Sequence, residues 1–213
     1  MRDIEIENIN KFIENTYSNE TEESLSDENL LEEYQKCQST QDVIEDFIND
    51  MLEAEIEIDK INYVLKKRIP KLIPPGTKGV VRGNMFNKIV KEKILSFGLA
   101  NYEIVFEKQH PLVKCTEKPD FYIYNPVSKK LLIGMNQIDL WSGGAQSNRG
   151  SKYVIHNPFE NSKYDVHLIA VVCNKVEIKS IESKGFQIFK NGIDNHRICY
   201  INGLREIVDW YFK

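Results

Sequence analysis

Lys118-Pro-Asp-Phe-Tyr-Ile-Tyr-Asn-Pro-Val-Ser-Lys-Lys-Leu-Leu-Ile-Gly-Met-Asn-Gln-Ile-Asp139 reads as two strands joined by a turn. Phe121 to Tyr124 is rich in aromatic and β-branched residues, Asn125-Pro126-Val127-Ser128 supplies the turn, and Lys130 to Ile138 is the second strand. Pro119 has no N–H for a ladder, so the first strand begins at Asp120 and leaves a carboxylate at the mouth of a sheet. The second strand enters apolar and turns polar at Asn136, Gln137 and Asp139. Gln137 and Asp139, two apart, share one face, and Asn136 takes the other. Polar groups ending an apolar strand are costly unless satisfied, either by hydrogen bonds within a sheet corner or by a ligand.

Outward from this hairpin the elements alternate. Asn84 to Phe97 has helical apolar spacing and ends at Gly98, and Tyr102 to Phe106 reads as a strand. Gly143 to Ile155 reads as a glycine-rich turn entering a helix. His167 to Cys173 is apolar on both faces, as a central parallel strand is. Arg197 to Ile201 is a short strand and Leu204 to Phe212 a closing amphipathic helix. The pattern predicts an α/β domain with a mixed sheet over residues 71–213. Residues 1–70 are expected to form an acidic, mainly helical N-terminal region, with 18–29 a flexible link. A long helix over 39–68, capped at Ser39 or Thr40, carries Val43, Ile44, Phe47 and Met51 on one face and ends before Pro70.

Charge divides the chain. Residues 1–60 hold 19 Asp and Glu against 4 Lys and Arg, whereas the remainder holds 13 against 24. A basic domain joined to an acidic segment suits a polyanion partner in a way that a uniformly acidic chain does not. The sequence has no run of 18 apolar residues, which argues against a membrane span. Its charged first residues do not resemble a secretory signal, so a cytoplasmic location is expected. Cys37, Cys115, Cys173 and Cys199 share no CxxC spacing and read as reduced thiols rather than a zinc site.

Two further segments bear on function. Asp139-Leu-Trp-Ser-Gly-Gly-Ala-Gln-Ser-Asn-Arg-Gly-Ser-Lys-Tyr153 combines Gly143 and Gly144, whose amides can approach a phosphate, with Gln146, Asn148, Arg149 and Lys152, side chains that read base edges or grip phosphate. The same residues also fit a solvated helix start with a packed Trp141. Lys78 and Arg82 lie in a glycine-punctuated stretch expected to be a loop entering a helix, a place where phosphate can bind. His110 and His156, each near a proline, read as structural.

The hairpin with Pro119-Asp120, and the polar positions that follow on the next strand, resembles the core of the PD-(D/E)xK nuclease superfamily, of the type II restriction endonuclease kind. The resemblance covers residues 80–175 and includes the flanking helices. It implies a restriction-endonuclease-like fold, Mg²⁺ (or Mn²⁺) held at Asp120, and hydrolysis of phosphodiester bonds in double-stranded DNA. Gln137 would take the position of the family's lysine, with Asn136 and Asp139 assisting. The family's E-x-K is absent from the second strand, so the second carboxylate would come from Asp139, Glu103 or Glu107. Asn87 stands where related nucleases often carry a Glu. Such enzymes commonly act as homodimers, and the 39–68 helix offers an apolar face for pairing or for packing on its own domain. The alternative is a nuclease-like fold without catalysis that binds nucleic acid or a protein partner.

Overall fold

In a computed structural model, which describes residues 2–140, 148–156, 159, 164–176, 178 and 180–213, the quoted stretch forms the antiparallel strands β2 (Phe121–Tyr124) and β3 (Lys130–Gln137). Phe121 lies opposite Gly134 and Tyr124 opposite Leu131. Asn125 builds the turn: its Oδ1 accepts from the backbone N–H groups of Val127 (2.9 Å) and Ser128 (3.1 Å), while Lys129 adopts φ 59°. An asparagine side chain standing in for a backbone turn explains why this boundary is readable from sequence.

The strand β1 (Glu103–Phe106) adds antiparallel to β2. On the other side β4 (Asp165–Val172) runs parallel to β3, and β5 (Ile198–Tyr200) parallel to β4. The order β1-β2-β3-β4-β5 is a mixed, open sheet of an α/β protein, as the alternating pattern predicts. Leu168 to Val172 are all buried, which the unbroken apolar run of a central parallel strand requires.

Helices cover the sheet. One face packs Tyr122, Ile133 and Met135 against Ile9 and Ile13 of α1 (Arg2–Thr16), Tyr153 and Val154 of a π-helical turn (Ser151–Ile155), and Phe186, Ile188 and Phe189. The next four helices are α2 (Asn19–Ser24), α3 (Leu31–Gln35), α4 (Gln38–Glu53) and α5 (Ile58–Leu72). They precede α6 (Pro75–Leu95), whose Phe86, Val90 and Ile94 are buried. After β4 come α7 (Lys184–Asp194), contributing Phe186, Ile188 and Phe189 to the core, and α8 (Leu204–Phe212).

The chain divides into two compact units, Met1–Thr21 with Phe86–Lys213, and Glu22–Met85. This differs from a boundary at residue 70, which falls inside α5; the backbone stays helical through Pro70 to Leu72. The expected link at 18–29 contains α2, with Leu25 fully buried. The single helix expected over 39–68 is two: Glu55 takes φ 58° in the break between α4 and α5. Cys37, not Ser39 or Thr40, occupies the N-cap of α4, and Thr40 is buried in its first turn. The helix before β1 begins at Pro75 rather than Asn84, so Lys78 and Arg82 lie within α6 and not in a loop. No helix among the described residues is long and apolar enough to cross a membrane.

Gly134 shows how tightly the sheet is covered. A Cβ there would stand 2.0, 2.1 and 2.6 Å from three ring atoms of Phe121, itself 0% exposed. Gly134→Ala should therefore destabilise the protein by about 2 kcal/mol through overpacking, and Phe121→Leu in the same chain should recover part of the loss. Urea unfolding of the two variants measures both effects; a Gly134→Ala protein as stable as wild type would show that the ring can move aside.

Candidate functional site

Asp120 stands at the mouth of β2 with its backbone held on both sides. Its N–H donates to the Gly134 carbonyl (3.1 Å), and its carbonyl accepts from the Glu107 N–H (2.9 Å). The carboxylate is equally constrained. Oδ2 accepts from the backbone N–H of Asn136 at 2.6 Å, and Oδ1 from Nδ2 of Asn87 at 3.1 Å. Asn87 Oδ1 in turn accepts from Asn136 Nδ2 at 2.9 Å. Three side chains, from α6, β2 and β3, thus close a ring of hydrogen bonds. One polar atom of the ring, Asn136 Oδ1, is buried and has no hydrogen-bond partner.

Burial raises the Asp120 pKa above the ordinary carboxylate value, and the negative charge of nearby Glu107 adds to the rise. The Asn136 N–H, the Asn87 amide and the charge of Lys118 oppose it. Glu107 follows β1 in the left-handed region at φ 53° and is exposed. A half-buried carboxylate with a second carboxylate in its field, beside an amide oxygen lacking a donor, is a set of hard oxygen ligands of the kind Mg²⁺ takes. Among the described residues no group of three or more His, Cys, Asp or Glu is placed to hold a metal ion. A cation at this site would rest on Asp120 and Glu107, with amide oxygen and water completing its shell.

The other residues singled out in the sequence fall into three places. Gln137 ends β3 opposite Val172; by alternation it shares the face of Met135, so Asn136 rather than Gln137 joins the Asp120 ring. Asp139 lies beyond the end of β3, where strand alternation no longer fixes its face. Lys152 lies in the π-helical turn and pairs with Glu117, three residues before Asp120, at 2.9 Å; the Tyr153 hydroxyl also donates to Glu117. Such an exposed pair is worth at most about 1 kcal/mol, so an incoming phosphate can compete for Lys152. Asn148 and Arg149 are exposed just before this turn. Gly150 permits a close approach, since a Cβ there would stand 2.7 Å from Ile188 and 2.8 Å from the Leu140 carbonyl. Trp141, Gly143, Gly144 and Gln146 lie outside the described residues.

Lys78 and Arg82 belong to the other compact unit. Lys78 pairs with Asp27 at 2.5 Å and holds that carboxyl below its usual range, with the Tyr34 hydroxyl donating to the same group at 3.1 Å. The expected phosphate loop is therefore a helical segment whose lysine already has an anion. His110 is structural: it is buried, accepts from the Leu112 N–H and meets the rings of Tyr122 and Tyr124.

Asn87, which the resemblance sets where related nucleases often carry a Glu, meets the Asp120 carboxylate directly. Its position on a helix is readable, but a tertiary contact 33 residues away in sequence gives it its partner. No family model, curated protein or solved structure matches this chain.

Proposed function

We propose that this protein is a metal-dependent endonuclease of the restriction kind, cutting double-stranded DNA with Mg²⁺ or Mn²⁺ at a centre built on Asp120. The observation that carries the reading is the Asp120 carboxylate itself, half-buried, fixed by two N–H donors and lying in the field of the Glu107 charge. The helix before the sheet, the antiparallel hairpin and the parallel strand β4 are arranged compatibly with the restriction-endonuclease-like fold that the sequence resembles. A bound cation would supply a water of lowered pKa and stabilise the leaving oxygen. Asp120 would anchor it, Glu107 would add the second carboxylate, and Asn87 and Asn136 would keep the Asp120 oxygens oriented. Arg149 and Lys152 would meet backbone phosphate, with the exposed Asn148 beside them for the bases.

A second reading, binding without cleavage, is favoured by one observation: the ring around Asp120 contains two amides and no lysine. Incubating supercoiled plasmid with the protein in Mg²⁺ and in Mn²⁺ separates the two. Nicked or linear product is expected; retained DNA with no cutting in either metal would leave the binding reading. Binding itself should weaken with salt, by a slope of about 0.9 in log K per phosphate contacted. An affinity indifferent to salt would remove DNA from both readings.

A further inference from the structure

One side chain holds the loop between β1 and β2. Gln109 Nε2 donates to the carbonyls of Cys115 (3.0 Å) and Glu117 (3.1 Å), and its Oε1 accepts from the Cys115 N–H (2.9 Å). The segment so fixed forms one wall of a cavity of about 190 Å³. Met135 of β3, Leu168 of β4 and Tyr153 of the π-helical turn line it, each 3% exposed, and half-buried Cys115 and Phe159 extend the apolar lining. Met135 and Asn136 are successive residues of β3 and face opposite ways. The cavity therefore lies on the other face of the sheet from the Asp120 ring.

Size and lining restrict what can enter. The volume is that of about six liquid waters, room for one heteroaromatic base and not for a base pair. It falls short of the roughly 300 Å³ at which pockets for larger ligands begin. A flat aromatic body suits the rings of Tyr153 and Phe159 and the sulfurs of Met135 and Cys115. Charge at the rim selects what that body carries. Glu117 is already met by Lys152 at 2.9 Å and by the Tyr153 hydroxyl, so its charge is largely neutralised. Lys114 is exposed and has no hydrogen-bond or ion-pair partner among the described residues. A phosphate can take Lys114 outright and share Lys152 with Glu117, with a strength that a neutral head group cannot match.

We infer that this cavity binds a single nucleotide, with its base among Tyr153, Phe159 and Met135 and its phosphate on Lys114 and Lys152. The inference goes beyond the endonuclease reading: the nucleotide held here stands apart from Asp120, and neither a metal nor the hydrogen-bonded ring takes part. Two sources share this chemistry, a free mononucleotide and an unpaired nucleotide of a DNA strand.

Cys115 reports occupancy in the unaltered protein. Burial raises its thiol pKa to about 11, so it alkylates slowly, and a base in the cavity would cover it. Labelling with N-ethylmaleimide, followed by peptide mass spectrometry, reads Cys115 beside Cys37, a control in the other compact unit. Deoxyadenosine monophosphate at about ten times its half-protecting concentration should slow labelling of Cys115 about tenfold and leave Cys37 unchanged. Deoxyadenosine should protect far less, and inorganic phosphate should not protect. Lys114→Gln should weaken the mononucleotide about tenfold without changing deoxyadenosine. An oligodeoxyadenylate strand and a blunt duplex separate the sources. Protection by the mononucleotide alone assigns the cavity to free nucleotides, and protection by the strand, with or without the mononucleotide, assigns it to DNA. Cys115 labelled at one rate with every probe would overturn the inference. So would protection by the duplex alone, by deoxyadenosine as well as by its monophosphate, or to the same degree after Lys114→Gln. Plasmid cleavage is scored in parallel: a protein that cuts but leaves Cys115 unprotected loses only this inference, and one that protects Cys115 without cutting loses only the nuclease.

Discussion

Asp120→Asn is expected to lower plasmid cleavage by a factor on the order of 10³ while leaving the fold intact. The same change should also remove a fall in stability between acid and neutral pH. Asparagine matches the volume of aspartate, and its oxygen can still accept the Asn136 N–H. Its NH₂ would then confront Nδ2 of Asn87, which the ring can accommodate by turning over both amides. Asn87 would accept from residue 120, Asn136 Oδ1 would accept from Asn87, and the atom left without a partner would be an N–H instead of an oxygen. A bound cation would keep only the Glu107 carboxylate, the exposed one of its two, which would account for the size of the loss in rate. The stability effect has a different origin. Burial raises the pKa of the folded-state carboxyl above its unfolded value of about 3.9. Between those two values the folded protein holds a proton that the unfolded chain has released, so stability falls as pH rises through that interval and is level above it. Urea unfolding from about pH 3 to about pH 7 should show the variant gaining on wild type across the interval and then holding a constant advantage. A difference independent of pH would mean that the ring solvates the carboxylate as well as water does. Added Mg²⁺ should restore wild type near neutral pH and have no effect on the variant, since a ligand of the folded state stabilises only where it binds.

The sequence carried the hairpin and lost the pieces whose structure depends on distant partners. β2 spans Phe121–Tyr124 and α8 spans Leu204–Phe212, the limits read from alternation, from Asn125 and from helical spacing. The break at 54–57 was concealed because the apolar spacing of α4 runs on into α5 as though the helix were continuous. Gly76, Gly79 and Gly83 suggest a loop, yet all three lie in α6, where a Cβ would meet nothing within 4 Å. α7 passed unread because Gly192 breaks its pattern near the end. A Cβ at Gly192 would stand 2.7 Å from Ile198, so this glycine reflects the approach of β5 rather than a turn. A local signal was nonetheless present: Ser183 caps α7 by accepting from the Phe186 N–H at 3.1 Å. At the site, Pro119-Asp120 and Asn136 were legible as polar residues at a strand mouth. The choice of Asn136 over Gln137 was not, since it depends on which face α6 presents Asn87 to.

Arg197→Met should cost about 3 kcal/mol and weaken DNA binding, although the guanidinium is buried and cannot touch a ligand. Arg197 is 6% exposed, just after His196 at φ 53°, and has no carboxylate partner among the described residues. Its charge is met by carbonyls instead. Nε donates to Leu168 at 3.3 Å, and Nη2 donates to His156 at 2.8 Å and to Tyr153. The last two oxygens lie at the C-terminal end of the π-helical turn, where backbone dipoles leave partial negative charge that favours a cation. Burial lowers the arginine pKa to about 10, so the group stays protonated at neutral pH. Methionine fills much of the same space but donates nothing, leaving the buried carbonyls of Leu168 and Tyr153, and the half-buried one of His156, short of this donor. The segment released would be Ser151–Ile155, which carries Lys152 and Tyr153 and their contacts with Glu117 beside the candidate site. Loss of affinity and loss of stability should therefore appear together, and Arg197→Lys should recover only part of each. A lysine ammonium keeps the charge but lacks the planar fork that reaches carbonyls on two elements at once. Urea midpoints and a DNA titration at fixed salt measure the pair of effects. An Arg197→Met protein as stable as wild type would mean that removing the guanidinium from water costs as much as its carbonyl bonds return.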